Sequence, residues 1–272
     1  MGDLNESAGP MAGPLPLSHV IETAYGRLFD NLGVFMRIAL AWTGVTIGLL
    51  VIISILAPQA WDGPSGDLIA IAMGAGTAIG WHRFVLREER RTFADLNTLA
   101  RYAVLAVVAA LPGVALVVIG TPAVAVLLRG LGDRAGATVI TAVIILLVVI
   151  AAAVTLRLSL ILPGVAIGDR SMTFRRSWAA TQGHAVAILI GCITVQIPPW
   201  LGIGLLAWLL GRWESASRIS GPGIGTLVFA VVAALLLLLL SALSTALFAG
   251  FLSELYLRLY QDPEPAPDSG PA

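Results

Sequence analysis

Lysine is absent from this chain, and all 16 of its basic residues are arginine. Charge of either sign is scarce. Charged residues make up 12% of the sequence, about half the ~25% of a soluble domain, which argues for lipid as the main solvent. Acids and bases balance to a formal net charge of zero, which excludes a nucleic-acid binder working through bulk electrostatics. The single cysteine, Cys192, lies within an apolar run; no intrachain disulfide or thiolate metal cluster can form. His19, His82 and His184 are scattered, without the i, i+4 pairing of a helical zinc site. No spacing matches a catalytic, metal or cofactor motif, so the expectation is a protein that is not an enzyme and carries no cofactor.

What fills the chain is apolar. Hydrophobic residues make up 58%, and runs of 18 or more are long enough to cross roughly 30 Å of hydrocarbon. The pattern predicts an all-α, polytopic integral membrane protein with six transmembrane helices, near 34–56, 67–86, 102–128, 137–160, 185–210 and 225–253. Only helices satisfy their own backbone hydrogen bonds within lipid. Pro112 and Pro122 interrupt the third span and Pro198-Pro199 the fifth, and each is expected to kink its helix. The first 20 residues lack a basic start followed by an apolar core; no cleavable signal peptide is expected, and the first span does the targeting. Residues 1–17 and the Pro-rich 259–272 read as disordered tails flanking a membrane domain of 18–258.

The arginines orient the spans. With the N-terminus and every second loop in the cytoplasm, that side holds Arg27, Arg37, Arg83, Arg87, Arg90, Arg91, Arg101, Arg157, Arg170, Arg175, Arg176 and Arg258. The other side keeps Arg129, Arg134, Arg212 and Arg218. This bias places both termini in the cytoplasm. Trp61 and Trp213 then fall near the outer boundary and Trp81 and Trp178 near the inner one, as an aromatic belt.

Short amphipathic helices are expected on the arginine-rich side. Ser18 caps the first, whose Ile21, Ala24, Tyr25, Leu28, Phe29 and Leu32 share a face. Thr92 with Asp95 opens a second carrying Phe93 and Leu96, and Asp169 or Ser171 opens a third with Phe174 and Trp178 one turn apart. The chain thus reads as three units of an interfacial helix and a membrane hairpin, with Gly33 aligned to Gly183.

The small-residue runs GAGTAIG (74–80) and Ala242, Ala246, Gly250 read as close helix packing rather than a nucleotide loop. GPGIG (221–225) reads as a turn. In WHRFVLREERR (81–91), His82 and Arg83 belong to a basic juxtamembrane cluster, either an ordinary anchor or a contact for anionic lipid. Arg157 follows a long apolar run; it either snorkels to the headgroups, or makes a buried ion pair or an anionic-lipid contact, with Asp169 a possible partner, both residues being candidates for a lipid or partner contact. Phe174 and Trp178, with Arg175 and Arg176, suit a helix lying at an anionic surface.

RLSLILPGVAIGDRSMTFRRSWAATQGHAVAILIG (157–191) carries Arg157, Leu162-Pro163, Asp169, Ser177-Trp178, Thr181 and Gly183. This pattern resembles bacterial polytopic membrane proteins of unassigned activity, related to the membrane domain attached to some glycerophosphoryl diester phosphodiesterases. WHRFVL (81–86) is similar too. Asp169 stands where such proteins more often have Glu. The 272 residues leave no room for the soluble barrel and its metal-binding acids, so the resemblance implies the membrane fold and not the phosphodiesterase activity.

The expectation is a multi-pass protein of a bacterial inner membrane, an accessory or scaffold contacting lipid or a partner protein at its cytoplasmic face. A permease-like subunit for an apolar or lipid-like substrate is the alternative. A reporter active only in the periplasm should be active when fused near Trp61 and silent at the C-terminus. Activity at the C-terminus overturns the orientation.

Overall fold

A computed structural model of the chain describes residues 15–57, 59, 65–127, 133–220 and 223–261. Trp61, Arg129, residues 221–222 of the 221–225 turn and the tails 1–14 and 262–272 lie outside the described residues. Among the described residues every regular element is helical: α1 (Leu17–Asp30), α2 (Leu32–Leu56), α3 (Ser65–Arg87), α4 (Leu96–Leu127), α5 (Asp133–Ser159), α6 (Ile161–Ala166), α7 (Phe174–Ala180), α8 (Ala185–Ser220) and α9 (Ile224–Tyr256), which ends in a π-helical turn, Leu257–Gln261. Six of them (α2, α3, α4, α5, α8 and α9) are long and apolar enough to cross a membrane.

The centre of the bundle is made by α3 and α9. α9 packs against α1, α2, α3, α6 and α8, while α4 and α5 pair as a hairpin joined to the rest through α3, α6 and α8. α3 is the least apolar span and the most buried, with 67% of its central window covered by protein. Both properties have one cause: a helix surrounded by helices needs small residues for close approach more than it needs greasy ones for lipid. A Cβ added at Gly76 would overlap the Trp42 ring, and one at Gly80 would press on Ile38 at 3.1 Å. Ala242 and Ala246 are buried on α9, and a Cβ at Gly250 would lie 3.1 Å from Trp81 Nε1. Both small-residue runs are therefore packing surfaces. Trp81 itself is fully buried, which removes it from the expected inner aromatic belt. Trp213 is exposed at the far end and stacks on Phe229.

α1 differs from a free interfacial helix. Its Val20, Ala24 and Leu28, one turn apart, turn inward against the bundle, while Phe29 is 60% exposed. Ser18 lies inside the helix and Pro16 holds the N-cap position, with no side-chain cap. Leu15 and Leu259 are buried, so the folded part extends beyond 18–258 at both ends. The expected second interfacial helix is absent among the described residues. Asp95 instead caps α4 directly, accepting from Thr98 N and Thr98 Oγ1 at 2.8 Å each, and the helix runs on through the span. The threefold reading weakens further at the glycines: Gly33 is helical within α2, whereas Gly183 has φ +83°.

α4 continues through Pro112 and Pro122, and α8 through Pro198 and Pro199. Pro199 has no N–H for the carbonyl of Val195 one turn back. The Tyr25 hydroxyl donates to that carbonyl at 2.9 Å, reaching it from α1. A proline in one helix thus supplies the docking point for another. Tyr25→Phe should cost about 1 kcal/mol by leaving a buried carbonyl unpaired. In a Pro199→Ala background, where residue 199 regains its N–H, the same change should cost nothing. Thermal unfolding of the four proteins in nanodiscs checks this cycle, and equal penalties in both backgrounds would refute it.

Candidate lipid and partner contact site

Alternation of the spans brings α1, α6, α7, the C-terminal ends of α3, α5 and α9, and the start of α4 to one arginine-rich end. α5 stops at Ser159, and Pro163 falls in the first turn of α6, where a missing N–H is tolerated. All six residues of α6 are buried. The chain then reverses through Gly168, at φ +77°, a conformation that glycine adopts without strain. Thr173 caps α7 by accepting from Arg176 N, in the role expected of Asp169 or Ser171.

Two side chains clasp α5 and α7 reciprocally. The last carbonyls of a helix have no intrahelical donor, and the Ser177 hydroxyl supplies one to Arg157 O and Leu158 O at the end of α5. In the other direction, Arg157 Nη2 donates to Trp178 O at 2.8 Å and Nε to Thr181 Oγ1 at 3.1 Å. Thr181 can accept because its own hydrogen points to the Ser177 and Trp178 carbonyls. The guanidinium lies 3.6 Å from the centroid of the Trp178 ring, a cation–π contact. Arg157 therefore neither pairs with Asp169 nor merely snorkels. It closes the C-terminal end of α7, where a cation is favoured by the helix dipole.

Asp169 anchors a separate chain. Its Oδ1 accepts from Ser171 N at 2.8 Å and Ser171 Oγ at 2.6 Å, and its Oδ2 from Tyr256 OH at 2.6 Å. Because the Ser171 hydrogen goes to Asp169, the 2.7 Å contact with Tyr260 has Tyr260 as donor. Arg176 Nη1 completes the chain, donating to Ser171 O at 2.9 Å and Tyr260 OH at 3.2 Å. Partial burial pushes the Asp169 carboxyl up, but hydrogen bonds from Ser171 and Tyr256, with Arg176 nearby, outweigh it and hold the pKa below the usual value. The chain ties the loop before α7 to the end of α9.

His82 is fully buried and cannot meet headgroups or a partner. Its network settles the tautomer. Ser253 donates its hydrogen to Ala249 O, so it accepts from His82 Nδ1 at 2.7 Å, and Tyr102 donates to Nε2 at 3.1 Å. Every polar atom in this three-helix junction is satisfied with the histidine neutral. Arg83 is also mostly covered; Nε donates to Ala166 O at 2.8 Å and Nη2 lies 3.9 Å from Asp95. Nearby, Arg27 Nη1 donates to Val85 O at 2.7 Å, and its Nε lies 2.9 Å from Oε1 of the buried Glu254, off the line of a straight hydrogen bond.

Of the residues singled out in the sequence, the structure leaves Arg175 and Trp178 on the surface, with Arg176 exposed but engaged. Tyr256, Tyr260, Arg27 and Glu254 were not anticipated. A legible signal existed for some of them, since Glu254 is an acid ending a long apolar helix and Tyr256 and Tyr260 are one turn apart. Among the described residues no group of three His, Cys, Asp or Glu side chains converges as a metal site. No protein-family model, curated protein or solved structure matches the chain.

Lysine retains the charge of Arg157 but loses the planar fork that stacks and donates in two directions. Arg157→Lys should therefore destabilise by about 1–2 kcal/mol, read as thermal unfolding in nanodiscs. An unchanged melting temperature would mean that the clasp adds nothing beyond a snorkelling charge.

Proposed function

We propose that this protein is a non-enzymatic accessory or scaffold protein of a bacterial inner membrane, its termini and arginine-rich end in the cytoplasm, where it holds anionic lipid or a partner protein. The observation that carries this reading is the division of labour around α7. Arg157, Asp169, Arg176, Ser177 and Thr181 are committed to one another and to neighbouring carbonyls, so they form a rigid mount. On that mount Arg175 faces outward without a hydrogen bond or ion pair to any described residue, beside a Trp178 that is 41% exposed. An outward guanidinium next to an amphipathic ring suits the headgroup region, where each basic side chain contributes about 1 kcal/mol of attraction to anionic lipid.

The same arrangement gives the family-like pattern a physical reading. Arg157, Pro163, Asp169, Ser177, Trp178, Thr181 and Gly183 are the clasp, its turns and its anchor. We take the resemblance to the membrane domain of glycerophosphoryl diester phosphodiesterases as a resemblance in this mount, which transmits no hydrolytic chemistry. A second reading, a carrier of an apolar or lipid-like substrate, draws on a cleft of about 230 Å³ among α2, α3 and α9.

Arg175→Gln should leave insertion and melting temperature unchanged while lowering retention of anionic lipid about fivefold, as loss of ~1 kcal/mol implies. Native mass spectrometry of protein released from mixed phosphatidylglycerol and phosphatidylcholine nanodiscs measures this. Arg176→Gln should instead lower the melting temperature. An unchanged lipid and partner profile in Arg175→Gln would reduce α7 to a topological anchor.

A further inference from the structure

The cleft among α2, α3 and α9 lies away from the arginine-rich end. It is lined on α2 by Thr46, near the middle of that helix, on α3 by Met73, Gly74 and Thr77, and on α9 by Ser241 and Thr245. Among the described residues no ionisable side chain lines it. A charged ligand group would be stranded there without a counter-charge. The cleft is apolar, but its hydroxyls are not equivalent.

Thr46 donates its hydrogen to Trp42 O at 2.9 Å, and Thr245 donates to Ser241 O at 2.9 Å. Each oxygen retains only lone pairs to offer. Thr77 is the opposite case. It is 1% exposed, and its Oγ1 has no hydrogen-bond partner among the described residues. Threonine in a helix ordinarily turns its hydroxyl to the carbonyl one turn back, as Thr46 and Thr245 do. Leaving such a group buried and unpaired is destabilising. The cleft thus joins an uncommitted hydroxyl at the buried Thr77 to acceptors at Thr46 and Thr245, with the exposed Ser241 hydroxyl beside them, on apolar walls. An ester carbonyl would use only the donor, and a hydrocarbon chain would use none of them. An alcohol uses both kinds, accepting from Thr77 and donating to a threonine oxygen.

The geometry points to a binding site for an uncharged lipid alcohol, its chain between α2, α3 and α9 and its hydroxyl at Thr77. The site is independent of the headgroup contact at α7. Bulk acyl chains filling the cleft without regard to chemistry are the competing occupant.

Two variants separate them. Thr77→Val keeps the shape and removes the donor. Gly74→Leu fills the cleft, because a Cβ at Gly74 meets no atom within 4 Å. Purified protein in phosphatidylcholine nanodiscs is exposed to photoactivatable dodecanol and to the matching dodecane probe, and labelled peptides are quantified. Dodecanol should label α3 saturably, and Thr77→Val should weaken it roughly 2- to 10-fold, the effect of one neutral hydrogen bond, with dodecane labelling unchanged. Gly74→Leu should abolish both signals. The melting temperature of ligand-free Thr77→Val should stay level or rise, since an unpaired buried hydroxyl has been removed. A fall would assign Thr77 to the bundle's own packing and overturn the proposal. Equal labelling by alcohol and alkane, indifference to Thr77→Val, or persistence of labelling in Gly74→Leu would each overturn it as well.

Discussion

A backbone carbonyl in lipid has no water to turn to, and that single constraint organises the bundle. At one proline and at several helix ends, a side chain from another element donates to the freed carbonyl. Tyr25 takes the Val195 carbonyl freed by Pro199, Ser177 takes the last carbonyls of α5, and Arg27 takes Val85 O near the end of α3. Arg83 closes α6 at Ala166 O, and Arg157 closes α7 at Trp178 O. These bonds add directional contacts to α1 and α6, whose apolar faces are already buried in the core.

This gives the arginines a second role. Positive-inside counting treats them as equivalent charges that set orientation. In the structure Arg27, Arg83 and Arg157 are staples on helix C-termini, where the dipole favours a cation and the guanidinium reaches more than one acceptor. A flexible ammonium reproduces the charge and not the fork. The absence of lysine thus has a consequence in the fold, whatever its origin in composition. Arg175, outside these staples, is left exposed.

The polar junctions obey the same rule of complete pairing. Neutral His82 is bracketed by a donor and an acceptor on two different helices, and Asp169 gathers three donors from its own loop and from α9. A half-satisfied network inside a membrane bundle would destabilise it more than an apolar contact would. Thr77, which lines the cleft, is one exception, and the buried hydroxyl of Thr43 and indole N–H of Trp81 are others.

The sequence by itself determined the solvent, the helical class and the six spans, because hydrophobic length is a one-dimensional property and lipid leaves no other spanning structure for such runs. It also marked the packing stripes at Gly76, Gly80, Ala242 and Ala246, since small residues at helical spacing have one main use there. Tertiary structure decided the partners. Arg157 and Asp169 are 12 residues apart and look like an ion pair, yet each closes a different network because the turn at Gly168 sends the loop toward α9. His82 reads as part of a basic surface cluster and is buried, because α9 and α4 cover that face of α3. Tyr25 and Val195 are 170 residues apart, and no local pattern in either helix encodes the bond between them. Residue type announces a donor or an orphaned acceptor; only the fold says which donor reaches which.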